Sequence, residues 1–265
     1  MNAVLDVEGE KKPVTAKFYG DVNGKIDIKN KEQMEDIKKK LEGCEYSVDS
    51  IKRGEKIKKS PLPFTTSTLQ QEASKTLNFA TAKTMRIAQQ LYEGVDIAGK
   101  GTIGVITYLR TDSTRVAEEA QAASKEYIEA NYGAEYLMKD DPKKKEDKKI
   151  QDAHEAIRPT DITLTPVVIK ESLSRDQFRL YQLIWKRFVA SQMAQAVYET
   201  TSVKIGADDY RFTVSASKII FEGFRLAYVE SDEEKQSGNV MVKSIDKDSE
   251  LTKESFDYKQ HFTQP

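Results

Sequence analysis

The sequence predicts a mixed α and β fold in which a mainly helical segment interrupts a β-rich one. Three observations carry this. Short alternating runs flank Asn23-Gly24 in "TAKFYGDVNGKIDIKN", a strong hairpin signal. Helical periodicity with capping signatures then runs from Phe64 to Met193, and alternation returns beyond Ala196 in "VYETTSVKIGADDYRFTVSASKIIFEG". The β-rich ends, residues 1–63 and 194–265, are expected to pair across the inserted residues 64–193.

Each helical element has its own warrant. In "TTSTLQQEASKTL", Ser67 with Gln70 reads as a capping box, and Leu69, Ala73 and Leu77 form one apolar stripe. A second helix starts near Thr81, turns Met85, Ala88 and Leu91 or Tyr92 inward, and stops at Gly94. The Gly-punctuated "GVDIAGKGTIG" reads as a loop. "VITYL" is rich in β-branched and aromatic residues and runs into the helix-start residues Asp112, Ser113 and Thr114, so a strand feeding a helix is expected. That helix presents Val116, Ala120, Ala123 and Tyr127 and ends before Gly133. The last helix has the clearest signature: Ser174 caps it, Gln177 completes the box, and Phe178, Tyr181, Trp185, Phe188 and Val189 line its apolar face.

Composition narrows the function classes. The chain has 265 residues, 38% of them hydrophobic, and no run approaches the roughly 18 apolar residues of a membrane helix, so a cytoplasmic protein without membrane partners is expected. The single cysteine, Cys44, allows no internal disulfide and no zinc cluster. With 42 Lys+Arg against 43 Asp+Glu the net charge is −1, so any contact with nucleic acid has to be local. Lysine clusters at 56, 58 and 59 and at 143–149 are read as solvated loops.

Three segments carry candidate chemistry. In "ITYLRTDS" strand alternation puts Tyr108 and Arg110 on one side and Leu109 on the other. A phenol is a weak nucleophile at neutral pH, and a fixed cation beside it is what an attack on phosphorus requires. The expected helix N-terminus just beyond would favour a phosphate. In "DAHEAIRPTD", His154 and Arg158 are four residues apart and would share a helix face, suited to a phosphodiester; a hydrogen-bonded structural histidine is the plainer reading. Asp246, Asp248 and Glu250 spell DxDxE but lack the flanking strand, turn and helix of a Mg²⁺ cluster, so no metal site is assigned to this chain.

Taken together, "SPLPFTTSTLQQEAS", "TAKTMRIAQQLYEG", "GVITYLRTDST", "QDAHEAIRPTD" and "LYQLIWKRFVASQM" closely resemble the central region of bacterial type IA DNA topoisomerases of the topoisomerase I branch. The resemblance implies that Tyr108 is the nucleophile of a transient 5′-phosphotyrosyl link with one DNA strand and that Arg110 is the cation at the scissile phosphate. It makes His154 a DNA-backbone contact, with Arg158, Thr111, Asp112 and Ser113 as contacts or supports. It also implies a winged-helix-like helical insertion on a β-rich hinge or arch. Relaxation of negative supercoils would need no ATP. The family's Mg²⁺ is held by a TOPRIM domain that nothing here matches, and a base domain is also missing, so an excised fragment, inactive by itself in relaxation, is expected. The competing readings are a non-catalytic DNA-binding or scaffold module and a tyrosine recombinase. In the recombinase the nucleophile follows its His/Arg pair, whereas Tyr108 precedes His154.

Overall fold

The computed structural model describes residues 1–8, 13–138, 154–229 and 245–259. It is a mixed α and β protein, with strands β1 (Asn2–Val7), β2 (Val14–Asp21), β3 (Gly24–Lys25), β4 (Tyr46–Lys58), β5 (Val95–Ile97), β6 (Gly101–Ile103), β7 (Ala196–Ala207), β8 (Tyr210–Phe221) and β9 (Leu251–Asp257). Its helices are α1 (Lys31–Lys40), α2 (Thr66–Leu77), α3 (Thr81–Glu93), α4 (Glu118–Tyr132) and α5 (Arg175–Gln192). The chain forms two compact units. One comprises the described residues of Met1–Lys56, Tyr198–Ile220 and Gly238–Pro265; the other comprises those of Ile57–Val197 and Phe221–Ser237.

Seven strands drawn from both ends of the chain make one sheet in the order β1-β9-β4-β7-β8-β2-β3. An added β1–β2 pairing closes six of them into a ring. Closure removes open edges and leaves one interior, filled by alternate residues: Ala3, Leu5 and Val7 of β1, Val14, Ala16 and Phe18 of β2, Phe212 and Val214 of β8. The hairpin signal at Asn23-Gly24 places a real turn, one residue earlier than expected. Asp21 pairs with Gly24, and the Asp21 carboxylate accepts from the N–H groups of Asn23 (2.8 Å) and Gly24 (3.1 Å), which is Asp at the first and Gly at the fourth turn position.

Helix α1 has no counterpart in the sequence expectation. Asn30 caps it by accepting from Gln33 N–H, but among its own residues only Ile37 is buried, too thin an apolar stripe to stand out.

The second unit is organised around α5, whose box of Ser174 and Gln177 forms as expected and whose Leu180, Tyr181, Ile184, Trp185 and Phe188 are buried. Fully burying side chains of this size contributes roughly 1.5–3 kcal/mol each. Tyr127 of α4 meets Trp185 edge-on at 5.6 Å, and Lys83 of α3 pairs with Asp176 at 2.7 Å. At α2 the box is Thr65 with Thr68, two residues before the expected Ser67 and Gln70, because Thr65 already satisfies the Thr68 amide. The stretch expected as a loop before Tyr108 is the β5–β6 hairpin.

Candidate active site around Tyr108

The strand and the helix expected on either side of Tyr108 are both absent. Of "VITYL", only Ile106 makes a bridge, to Pro159, and a proline has no N–H with which to extend a ladder. The helix starts at Glu118 and not at Asp112. The Oγ1 of Thr111 accepts from Ser113 N–H (3.1 Å) and the Oγ of Ser113 accepts from Arg115 N–H (3.2 Å), so local side-chain bonds take the amides a helical turn would leave to the backbone. The first turn of α4 then carries Glu118 and Glu119, which repel rather than recruit a phosphate. The inward residues of α4 are Ser124 and Ile128; Ala123 is exposed.

Residues 107–111 are instead an irregular segment tied down on both sides. Thr107 N–H donates to Arg158 O (2.9 Å) and its hydroxyl to Ala156 O (2.7 Å), while Arg158 N–H donates back to Thr107 Oγ1 (2.9 Å). Further along, Thr66 bonds to Leu109 and Thr111. Leu109 is buried between two exposed neighbours, Tyr108 and Arg110, so the expected alternation survives without a strand.

Tyr108 is 42% exposed and flanked by two rings. Tyr92, at the end of α3, meets it edge-on at 5.5 Å, and His154 stacks near it with centroids 6.1 Å apart and planes 29° from parallel. Tyr92, which helical periodicity offers with Leu91 to α3's inward face, is 39% exposed and belongs to this cluster. Tyr92 lies across the β5–β6 hairpin from Tyr108, a contact that helical periodicity cannot reveal. Gly104 explains the closeness: a Cβ there would lie 2.4 Å from the Tyr92 carbonyl oxygen, and Val105 N–H donates to Leu91 O (2.9 Å).

From His154 to Pro159 the chain is not helical; Ile157 bridges Phe64 and Pro159 bridges Ile106. His154 therefore reaches Tyr108 through β-like pairing and not through a shared helix face with Arg158. The Arg158 guanidinium turns to Glu155, with Nη2 2.7 Å and Nε 2.8 Å from Oε2, and also donates to Pro159 O (3.0 Å). Beyond it, Tyr181 Oη donates to Leu164 O (2.6 Å) and Trp185 Nε1 to Ile162 O (3.0 Å), anchoring this segment on α5. Burial pushes the Tyr181 phenol well above its ordinary range.

Of the remaining sequence-predicted residues, Thr111 and Ser113 are buried with their hydroxyls bonded to backbone, and Asp112 is exposed. Arg110 is exposed and makes no ion pair among the described residues. Asp246, Asp248 and Glu250 are exposed, with Asp246 and Ser249 closing a turn. Among the described residues no group of three or more His, Cys, Asp or Glu side chains gathers as a metal site. The lysines of 143–149 lie outside the described residues, as do residues 151–153 of "QDAHEAIRPTD".

Comparison with known proteins settles the family. The family model for DNA topoisomerase matches residues 5–265. The chain belongs to the DNA topoisomerase family. Among solved structures, this topoisomerase chain is similar to full-length topoisomerase I from Thermotoga maritima, at 34% identity and a TM-score of 0.72. The match covers 99% of this chain and 41% of the Thermotoga chain, so the sequence spans less than half the length of that relative. Among the described residues no helix is long and apolar enough to cross a membrane.

Proposed function

We propose that this chain supplies the nucleophile-bearing half of a type IA topoisomerase site acting on single-stranded DNA. The observation that carries the reading is Tyr108 itself: an exposed phenol between Tyr92 and His154, on a segment tied at Thr107 and at Leu109–Thr111, with the exposed Arg110 two residues on. The tethering holds the phenol in place before substrate arrives, which is what positional catalysis needs.

In the proposed step the Tyr108 Oη–phosphorus bond forms while the bond from phosphorus to the 3′ oxygen of the preceding nucleotide breaks. The phenolic proton leaves and the departing 3′ oxygen ends protonated, so one 3′-hydroxyl and one 5′-phosphotyrosyl ester result. One phosphoester replaces another, and no ATP is required to reverse the exchange. Arg110 meets the charge that grows on the phosphoryl oxygens. His154, exposed beside the ring, contacts the neighbouring backbone phosphate. Thr111, Ser113 and Arg158 act as supports, since their polar groups are already engaged within the protein; Asp112 remains at the surface of the segment.

Among the described residues no group of carboxylates gathers to hold the Mg²⁺ that the whole enzyme would use. We place it in a separate TOPRIM domain and the strand-passage hinge in the β-rich unit, in a cytoplasmic enzyme relaxing negative supercoils.

The test is a covalent-adduct assay. A 3′-labelled single-stranded oligonucleotide, Mg²⁺ and a separately purified TOPRIM-containing segment are mixed with this chain, and denaturing gels report label retained on the protein. Label is expected with Tyr108 and not with Tyr108→Phe, while gel-shift affinity for the oligonucleotide is unchanged. Label on the Tyr108→Phe variant places the nucleophile elsewhere. Binding without any adduct, in either protein, favours a scaffold that only holds DNA.

A further inference from the structure

We infer that Thr66 is a positioning residue of the tyrosine site, setting Arg110 relative to Tyr108 from a different part of the sequence. The inference deepens the reading of Tyr108 as nucleophile and rests on it.

Thr66 is the first residue of α2, yet the cap of that helix does not use its side chain. Thr65 and Thr68 form the capping box between themselves, leaving both the hydroxyl and the N–H of Thr66 free for other work. Both are directed at the segment that carries Arg110. The Thr66 hydroxyl donates to Leu109 O at 2.7 Å, with Thr111 O a second acceptor at 3.0 Å. The same oxygen accepts from Thr111 N–H at 2.9 Å, and Thr66 N–H donates to Thr111 O at 2.9 Å.

One residue therefore holds the peptide groups on both sides of Arg110. An irregular segment has no ladder of its own, so its backbone groups need such outside partners to adopt one conformation. Thr107 fixes the other side of Tyr108 through Ala156 and Arg158, and the buried Leu109 fixes the middle. Without the Thr66 hydroxyl, Thr111 N–H and Leu109 O lose their partner, and Arg110 loses its fixed exit from the surface. The phenol and the guanidinium would remain present but no longer held in one relation.

Two substitutions separate the hydroxyl from the shape: Thr66→Val removes it at nearly constant volume, and Thr66→Ser keeps it. The first measurement uses this chain alone. Trypsin cleaves after exposed arginines, and a net hydrogen-bond loss of this kind corresponds to roughly tenfold more opening. Cleavage of the Arg110–Thr111 bond is expected about tenfold faster in Thr66→Val and within about twofold of the parent in Thr66→Ser. The second measurement is the adduct assay with the TOPRIM-containing segment, with Tyr108→Phe in parallel. There Thr66→Val is expected to slow adduct formation roughly tenfold at saturating oligonucleotide, leave half-saturation unchanged, and be rescued by Thr66→Ser.

Unchanged tryptic cleavage in Thr66→Val overturns the inference, as does a slowed adduct that Thr66→Ser fails to restore. If Tyr108→Phe loses the adduct while Thr66→Val forms it at the parent rate, Thr66 alone loses its role. If Tyr108→Phe still forms it, the reading of the nucleophile falls and the role of Thr66 falls with it.

Discussion

Thr107 and Arg158 bind each other twice, Thr107 N–H to Arg158 O and Arg158 N–H to Thr107 Oγ1, both at 2.9 Å. This reciprocal pair joins two segments far apart in sequence and brings the His154 ring alongside Tyr108. It does so in place of regular secondary structure, and several consequences can be measured.

Arg158 is held by Glu155 and by the Pro159 carbonyl, with little of its side chain exposed. Arg158→Ala leaves a partly buried carboxylate without its cation, and a loss of about 2 kcal/mol in stability is expected. Chemical denaturation checks this; the salt dependence of oligonucleotide binding is expected to stay unchanged, whereas a shallower salt slope would make Arg158 a phosphate contact.

Arg110 is different because it is exposed and makes no ion pair among the described residues. Arg110→Lys retains the charge and loses the planar fork, so adduct formation with the complementing TOPRIM segment is expected to fall by about tenfold or more, with folding intact. A rate equal to the parent would remove Arg110 from the reaction.

Gly104 has no room for a methyl group, since its Cβ would meet the Tyr92 carbonyl oxygen at 2.4 Å. Gly104→Ala is expected to cost about 1–3 kcal/mol as α3 and the entry to Tyr108 are pushed apart. Thermal unfolding measures the cost, and tyrosine fluorescence reports whether the Tyr92–Tyr108 contact loosens.

In the β-rich unit, Tyr46 carries a buried hydroxyl with no hydrogen-bond partner among the described residues, and burial pushes its pKa up to about 12. Removing an unsatisfied polar group stabilises, so Tyr46→Phe is expected to gain about 1 kcal/mol by urea denaturation. A loss of stability would show that the hydroxyl has a partner in solution.

Alkaline pH acts through the buried tyrosines. Burial raises the pKa of Tyr181, and of Tyr228, above the unfolded value near 10. A group whose folded pKa is raised contributes stability that is fully present below the unfolded pKa and is lost as pH rises through the folded one. The melting temperature is therefore expected to hold up to about pH 10 and to fall above it. In Tyr181→Phe the fall is expected to be shallower, from a starting point about 1 kcal/mol lower for the lost bond to Leu164 O.

Much of the architecture was legible in the residues. Ser174 with Gln177 announced α5, and Gly94 and Gly133 marked the ends of α3 and α4, because capping is a local matter decided within a few residues. The misread places have local competitors or distant partners. Of the expected helix-start residues Asp112, Ser113 and Thr114, Ser113 does accept a backbone amide, as Thr111 does before it, but in successive turns that postpone the helix to Glu118. The β5–β6 hairpin was hidden by its glycines, and α1 by its polar composition.

The sequence by itself determined which side chains exist for chemistry and how they alternate: Tyr108 and Arg110 on one side, Leu109 on the other, His154 ahead of an Ile-Arg-Pro run. Only the tertiary structure decided that Tyr92 and His154 flank the phenol, that Arg158 is spent on Glu155, and that Thr66 grips the backbone around Arg110. The reason is physical. Side-chain alternation and helix capping act over a few residues, whereas the partners of an irregular segment are whichever distant backbone groups and hydroxyls the packed core brings within hydrogen-bond range.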